Sequence, residues 1–242
     1  MEVKFLPDRA LLLPGRTLVI ADLHIGLERE LAEAGVHIPS QLKKMEKRID
    51  ELIRLTKAKK LVILGDIKHQ VPVISLQEMR EIPDFLEHLS KEVSVVIIKG
   101  NHDGGIERLA PPKVKVCDSD GLAIGDFALV HGHAWPSKKL LKCKTVILAH
   151  IHPAIQFGAG RYRAVEQCWL RCPVNSKILQ KKLKTPVSLS EAIIMPVFNP
   201  LIGGVAINNK DFKPIGPLLK SGAVKIKKAE AWLTDGTHIG KV

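Results

Sequence analysis

One tyrosine, six phenylalanines and three tryptophans are all the aromatic side chains in this 242-residue chain, too few for the extended stacking platform that single-strand binders build. Trp135 and Trp169 are read as core residues. Four cysteines, Cys117, Cys143, Cys168 and Cys172, are too few and too irregularly spaced to staple a fold of this length. That scarcity fits a reducing compartment, and a cytoplasmic location is expected. Cys168 and Cys172 have no second Cys/His pair at zinc-site spacing, so packed thiols are expected there. No apolar run approaches the roughly 18 residues of a membrane span, and MEVKFLPDRALLLPGR at the start lacks the small-residue cleavage site of a secretory signal. Five Asn and six Gln beside abundant Lys make a thermophile's composition. Repeats, heptads, low-complexity tracts and linkers are all missing, so a single domain over residues 1–242 is expected.

Acidic residues are nearly absent from one stretch. The formal net charge is +12, and between Lys138 and Lys184 eleven Lys and Arg face Glu166 alone. Such a field attracts a polyanion such as nucleic acid, or it is only a solvated basic surface.

The apolar runs are short and repeated. TLVIAD (17–22), KLVILGD (60–66), VSVVIIKG (93–100), DFALVHG (126–132) and TVILAH (145–150) are continuous Val/Ile/Leu strings of strand length, as expected for strands covered on both faces. Leu42, Met45, Ile49, Leu52 and Ile53 fall at helical spacing within 40–57. Ser75 and Glu78 form a capping-box pattern ahead of Met79, Ile82, Phe85, Leu86 and Leu89. Pro83 is expected to kink or delay that second helix. Strand and helix alternating implies an α/β sheet with right-handed crossovers. After Arg161 the runs shorten and turn β-rich, so 155–242 is expected to complete a second sheet.

Five stretches end in metal-ligand residues: ADLH (21–24), GD (65–66), GNHD (100–103), VHGH (130–133) and AHIH (149–152). Ligands in an open α/β sheet collect beyond the carboxyl ends of the strands, and these motifs follow the apolar runs. Asp22 with His24, and His150 with His152, point the same way if the extended backbone continues. Asp22, His24, Asp66, Asn101, His131, His150 and His152 offer seven donors, more than one ion normally takes from protein. Two ions bridged by a carboxylate fit that count, and such a pair binds the attacking and departing oxygens of a phosphoryl centre and acidifies a bridging water. His102, next to Asn101, faces away from it and is placed to act on substrate. His133 is expected to hydrogen-bond beside the site. Lys68, Arg161 and Arg163 either bind phosphate or form salt bridges, and His69 is either a phosphate contact or a helix-start residue.

In order, D-x-H, G-D, G-N-H-D, H and H-x-H, spanning residues 21–152, resemble the calcineurin-like metallophosphoesterases. The GDxxH form, Gly65 to His69, is similar to archaeal phosphoesterases related to the SbcD-type DNA repair nucleases and the ligase-associated DNA-damage-response endonucleases. That resemblance implies a four-layer α/β/β/α sandwich with two central mixed sheets. It implies one ion on Asp22, His24 and His152, another on Asn101, His131 and His150, and Asp66 bridging. His102 then contacts the scissile phosphate and protonates or stabilises the leaving oxygen. Manganese is the metal it favours; iron, zinc, cobalt and nickel also suit carboxylate, amide and imidazole donors. Ala149 stands where the family usually has glycine. Lys68 and His69 stand where related protein phosphatases carry an Asp, so either Asp103 or backbone orients His102.

The activity expected from these readings is hydrolysis of phosphodiester bonds, in DNA or RNA and linked to repair, by a metal-bridging hydroxide. The rivals are a small-molecule phosphatase or cyclic-nucleotide phosphodiesterase, and a metal-retaining scaffold that binds a repair helicase or ligase.

Overall fold

A computed structural model describes residues 3–158 and 160–242. The first sheet runs in chain order through β1 (Lys4–Leu6), β2 (Ala10–Leu13), β3 (Thr17–Ile20), β4 (Lys60–Leu64), β5 (Ser94–Ile98) and β6 (Lys115–Cys117). The first three strands pair antiparallel and β3 to β6 pair parallel. The second sheet holds β7 (Leu122–Ile124), β8 (Phe127–Leu129), β9 (Thr145–Leu148), β10 (Pro153–Phe157), β11 (Ala164–Pro173), β12 (Glu191–Ile194), β13 (Val205–Ala206), β14 (Glu230–Leu233) and β15 (His238–Lys241). Its centre, β8, β9 and β12, is parallel. Strands β10 to β15 all pair within this second sheet.

Helix α1 covers Leu27–Glu33, α2 Leu42–Thr56, α3 Leu76–Glu92, α4 Ser176–Leu183 and α5 Pro217–Lys220. Helices α2 and α3 bury the stripes read from the sequence. Met45, Ile49, Leu52, Ile82, Phe85 and Leu89 pack on Leu18, Ile20, Leu61, Ile63, Val95 and Ile97 of the first sheet. The opposite face of that sheet, Val19, Val62, Leu64, Val96 and Ile98, packs on Leu129, Ile147, Trp169 and Ile193 of the second. A third apolar cluster, including Val146, Ile194, Leu179 and Leu218, covers the second sheet's outer side. Because each central strand is buried on both faces, alternation vanishes from its sequence. The result is the four-layer α/β/β/α sandwich. Burying each of these side chains is worth about 1.5–3 kcal/mol, so the layers hold themselves together without disulfides; all four cysteines are free.

The capping box forms as read: Ser75 Oγ accepts from the Glu78 amide and the Glu78 carboxylate accepts from the Ser75 amide. Pro83 lies inside α3 without ending it. The carbonyl it leaves without a donor belongs to Met79, a half-exposed residue where water can serve instead. Helices α1, α4 and α5 had no clear sequence signal, since none is longer than 8 residues. Among the described residues no helix is long and apolar enough to cross a membrane.

Candidate metal centre

Every motif begins where a strand stops. Beyond Ile20 come Asp22 and His24, beyond Leu64 comes Asp66, beyond Ile98 come Asn101 and His102, beyond Leu129 comes His131, and beyond Leu148 come His150 and His152. The expectation that extended backbone aims paired donors the same way is corrected here. Asp22, His24, Asp66, His150 and His152 have φ of 58°, 43°, 51°, 72° and 46°. These five are the majority of the nine non-glycine residues with positive φ among the described residues. Each such residue costs roughly 1 kcal/mol or more, so the strain is concentrated at one place. The left-handed turns bend the chain back at each strand end and converge the side chains, which strand alternation alone would not do.

Hydrogen bonds hold these turns in register. The Asp22 amide donates to the Gly65 carbonyl at 3.1 Å, His24 to Asp66 at 2.8 Å and Ile25 to Ile67 at 2.7 Å. Two glycines allow the close approach: a Cβ at Gly65 would lie 2.4 Å from the His131 ring, and one at Gly100 would lie 2.1 Å from Asp66 Oδ1. Ala149 is fully accommodated, buried between the sheets with its amide donating to the His131 carbonyl at 2.9 Å.

Three groups of donors result among the described residues, one of them made of His24, His69 and His102 and the other two each holding a carboxylate. Asp22, His24 and His152 present ligand atoms within 4.8 Å of one another, and so do Asp66, His131 and His150. Asp66 Oδ2 lies 3.7 Å from His24 Nε2 and 3.5 Å from His131 Nε2, between the sets. Asp22 lies 2.9 Å from His131 and 3.5 Å from His152. The Nε2 atoms of His24 and His152 are buried with no hydrogen-bond partner, which is costly unless something else takes the lone pairs. Two carboxylates among imidazoles, with two orphaned ring nitrogens, fit a pair of divalent ions. Asn101 is exposed beside them on the same loop as His102.

The charges agree with that fit. Burial, helped by the nearby His152, His102 and His69 rings and countered in part by Asp22, holds His24 down at about 3. Burial and the His131 charge hold His150 at about 4. Both rings are therefore neutral near pH 7, the form that donates to a metal. Burial alone would raise Asp22, yet its hydrogen bond from His131 and the nearby His152 ring keep it below the usual carboxylate range. Burial and the proximity of Asp22 raise Asp66 despite the attraction of His131. Burial lowers His131, but its hydrogen bond to Asp22 together with the charges of Asp66, Asp22 and Asp103 raises it above the ordinary imidazole value. His133 meets His131 Nδ1 to Nδ1 at 3.0 Å, beside the site as expected.

A second ring of residues surrounds the donors. His102 Nδ1 lies 2.6 Å from the His69 carbonyl, and its amide donates to Asp66 Oδ1 at 2.9 Å. A carbonyl only accepts, so Nδ1 carries a proton and Nε2 is the nitrogen left for substrate. Backbone, not Asp103, thus orients His102. Asp103 is buried and ties two loops: Oδ1 accepts from Ile67 at 2.8 Å and Lys68 at 3.4 Å, and Oδ2 from Gly100 at 2.7 Å. His69 Nε2 meets Glu30 at 2.6 Å while its Nδ1 faces His24 Nδ1 at 3.3 Å. With Glu30 accepting, a neutral His69 accepts from His24 Nδ1, which turns the free lone pair of His24 toward the donor set. Glu30 was missed in the sequence because it sits in the unmarked helix α1.

Lys68 is placed otherwise than as a phosphate contact: it is fully buried, its ammonium donating to the Gln70 and Val73 carbonyls. Arg161 and Arg163 are exposed in the turn between β10 and β11, a hairpin whose first strand starts directly after His152. All eleven basic residues of the 138–184 stretch are exposed. Only Lys144, with Asp126, and Arg171, with Glu191, have a carboxylate partner among the described residues.

A two-sheet sandwich with acid and imidazole donors gathered at its strand ends defines a metal-dependent hydrolase of phosphoric esters. The chain belongs to the calcineurin-like phosphoesterases, whose family model matches residues 15–179. Among solved structures it is similar to a nuclease, MPE, of Pseudomonas putida, with 22% identity, a TM-score of 0.61, and 98% of this chain and 94% of that one covered. It is also similar to YfcE, a phosphoesterase of E. coli, with 17% identity and a TM-score of 0.42, covering 93% of this chain and 97% of that one. No curated protein matches the chain.

Proposed function

We propose that the whole chain, as one domain, hydrolyses phosphodiester bonds in nucleic acid, as an SbcD-related nuclease of DNA repair. One observation carries the reading: two donor sets meet at Asp66, and the stretch 138–184, which includes two of the donors, carries exposed cations that outnumber their carboxylate partners. Asp22, His24 and His152 would hold one ion, Asn101, His131 and His150 the other, with Asp66 shared. Manganese is the proposed metal. A bound pair of divalent ions supplies an acidified water and neutralises charge building on the phosphoryl oxygens.

The remaining work falls to side chains. His102, entering the step protonated on both nitrogens with its Nδ1–H donating to the His69 carbonyl, gives its Nε2 proton to the leaving oxygen as the P–O bond breaks; it is left as the neutral Nδ1–H tautomer, and a proton from solvent restores it. His69 and Glu30 keep His24 in one tautomer. Arg161 and Arg163 take flanking phosphates of a long substrate, which a mononucleotide would not reach. Neutralising phosphates with Lys and Arg releases counterions, so activity on such a substrate falls steeply with salt.

The test is hydrolysis of labelled single-stranded and duplex DNA and RNA, and of a cyclic nucleotide, by protein loaded in turn with manganese, iron, zinc, cobalt or nickel, across a salt series. Steep salt dependence on polynucleotide is expected, and Arg161→Ala with Arg163→Ala should flatten it. A flat response, with the cyclic nucleotide preferred, would refute the nuclease reading and favour a small substrate.

A further inference from the structure

The loop between β4 and α3 carries two fully buried charges that do not meet each other. Lys68 has no surface exposure and no carboxylate within ion-pair distance among the described residues. Its ammonium instead donates to two carbonyls of its own loop, those of Gln70 and Val73. Glu78, in the first turn of α3, is equally buried. Its Oε1 accepts from the amides of His69 at 2.9 Å and Gln70 at 2.8 Å, and its Oε2 from the amide of Ser75 at 2.6 Å. A capping box requires only the last of these bonds. Buried ionised groups are tolerated when hydrogen-bonded throughout, and here the loop backbone provides every partner. The positive charge gathers the loop's carbonyls and the negative charge its amides.

Neither charge takes the His69 carbonyl, whose own residue's amide Glu78 holds, and that carbonyl accepts from His102 Nδ1 at 2.6 Å. We propose that Lys68 and Glu78 are positioning residues that clamp residues 68–75 so that the His69 carbonyl fixes the orientation and tautomer of His102. The inference rests on the reading above that His102 Nε2 serves the leaving oxygen. It also explains why a lysine inside the GDxxH motif is spent on backbone rather than exposed to phosphate.

The test compares Lys68→Met, Glu78→Gln and His102→Gln in the manganese-loaded enzyme on two thymidine diesters, one releasing p-nitrophenol and one the less acidic phenol. A poor leaving group needs a proton more. His102→Gln should therefore depress kcat for the phenyl ester by about 10²-fold, the lower end of general-acid contributions, and the p-nitrophenyl ester less. Lys68→Met and Glu78→Gln should shift the ratio of the two rates in the same direction, by roughly ten-fold, with metal content and KM close to wild type. Lys68→Met added to His102→Gln should change the ratio no further. Should Lys68→Met fail to fold, Glu78→Gln, which turns one of the two acceptors into a donor facing the loop's amides, carries the same comparison. An equal loss on both esters, or additive effects in the double variant, overturns the clamp while leaving His102 in its role. An unchanged ratio in His102→Gln overturns both.

Discussion

Asp103→Asn removes one oxygen acceptor from the pin that joins the loops after β4 and β5. In the native protein Oδ1 accepts from Ile67 at 2.8 Å and Lys68 at 3.4 Å, and Oδ2 accepts from Gly100 at 2.7 Å. An asparagine keeps one oxygen. Pointed at Ile67, it sets its amide against the Gly100 N–H, leaving a buried donor facing a donor, which costs about 1–3 kcal/mol. A smaller effect opposes this: burial and the nearby Asp66 charge raise the Asp103 carboxyl, so a neutral residue relieves some repulsion. The lost hydrogen bond acts at contact distance and the repulsion between side chains only at longer range, so the loss wins, leaving about 1–2 kcal/mol of destabilisation. For a chain of this length that lowers Tm by roughly 2–8 °C. Gly100 backs directly onto Asp66, so the shift also loosens the shared carboxylate. Scanning calorimetry of the metal-loaded protein, with metal content measured alongside, reads both effects. An unchanged Tm together with full metal occupancy would refute the argument.

Two further outcomes are expected. His152→Ala removes one of the two orphaned buried nitrogens and should halve the bound metal measured by elemental analysis; two equivalents retained would exclude His152 as a ligand. Metal-free protein should lose stability as the pH falls from about 6.5 to 4. His24, His133 and His150 are held at about 3, 4 and 4 in the fold but take up protons near the ordinary value when unfolded. The unfolded chain therefore binds more protons in that window, and stability rises with pH. His131, Asp66 and Asp103, all raised in the fold, work the other way and reduce the slope. Urea midpoints of the chelated protein at several pH values test this, and a midpoint that rises on acidification would contradict it.

Local patterns in the chain carried a large part of this protein. Strand runs such as Lys60–Leu64 and Ser94–Ile98 were legible because burial on both faces demands continuous apolar residues, and the α2 and α3 stripes because a helix buries one side. The donors were legible because buried Asp and His are too costly to keep without a purpose. The order of motifs along the chain was enough to separate His102 from its neighbours. What the chain could not express locally was how these groups meet. Left-handed backbone at Asp22, His24, Asp66, His150 and His152 is imposed by contacts between loops from different strands, and no local propensity announces it. Lys68 looked like a phosphate contact because an isolated lysine favours water. Only the packing of α3 against the loop puts Glu78 beside three of its amides and buries the ammonium among its carbonyls. Glu30 reaches His69 from a helix 39 residues away in the chain. Residue types and spacing determined which donors the protein owns; the tertiary structure alone decided their tautomers, their strain and the partner that aims His102, because each depends on backbone groups brought together from distant segments.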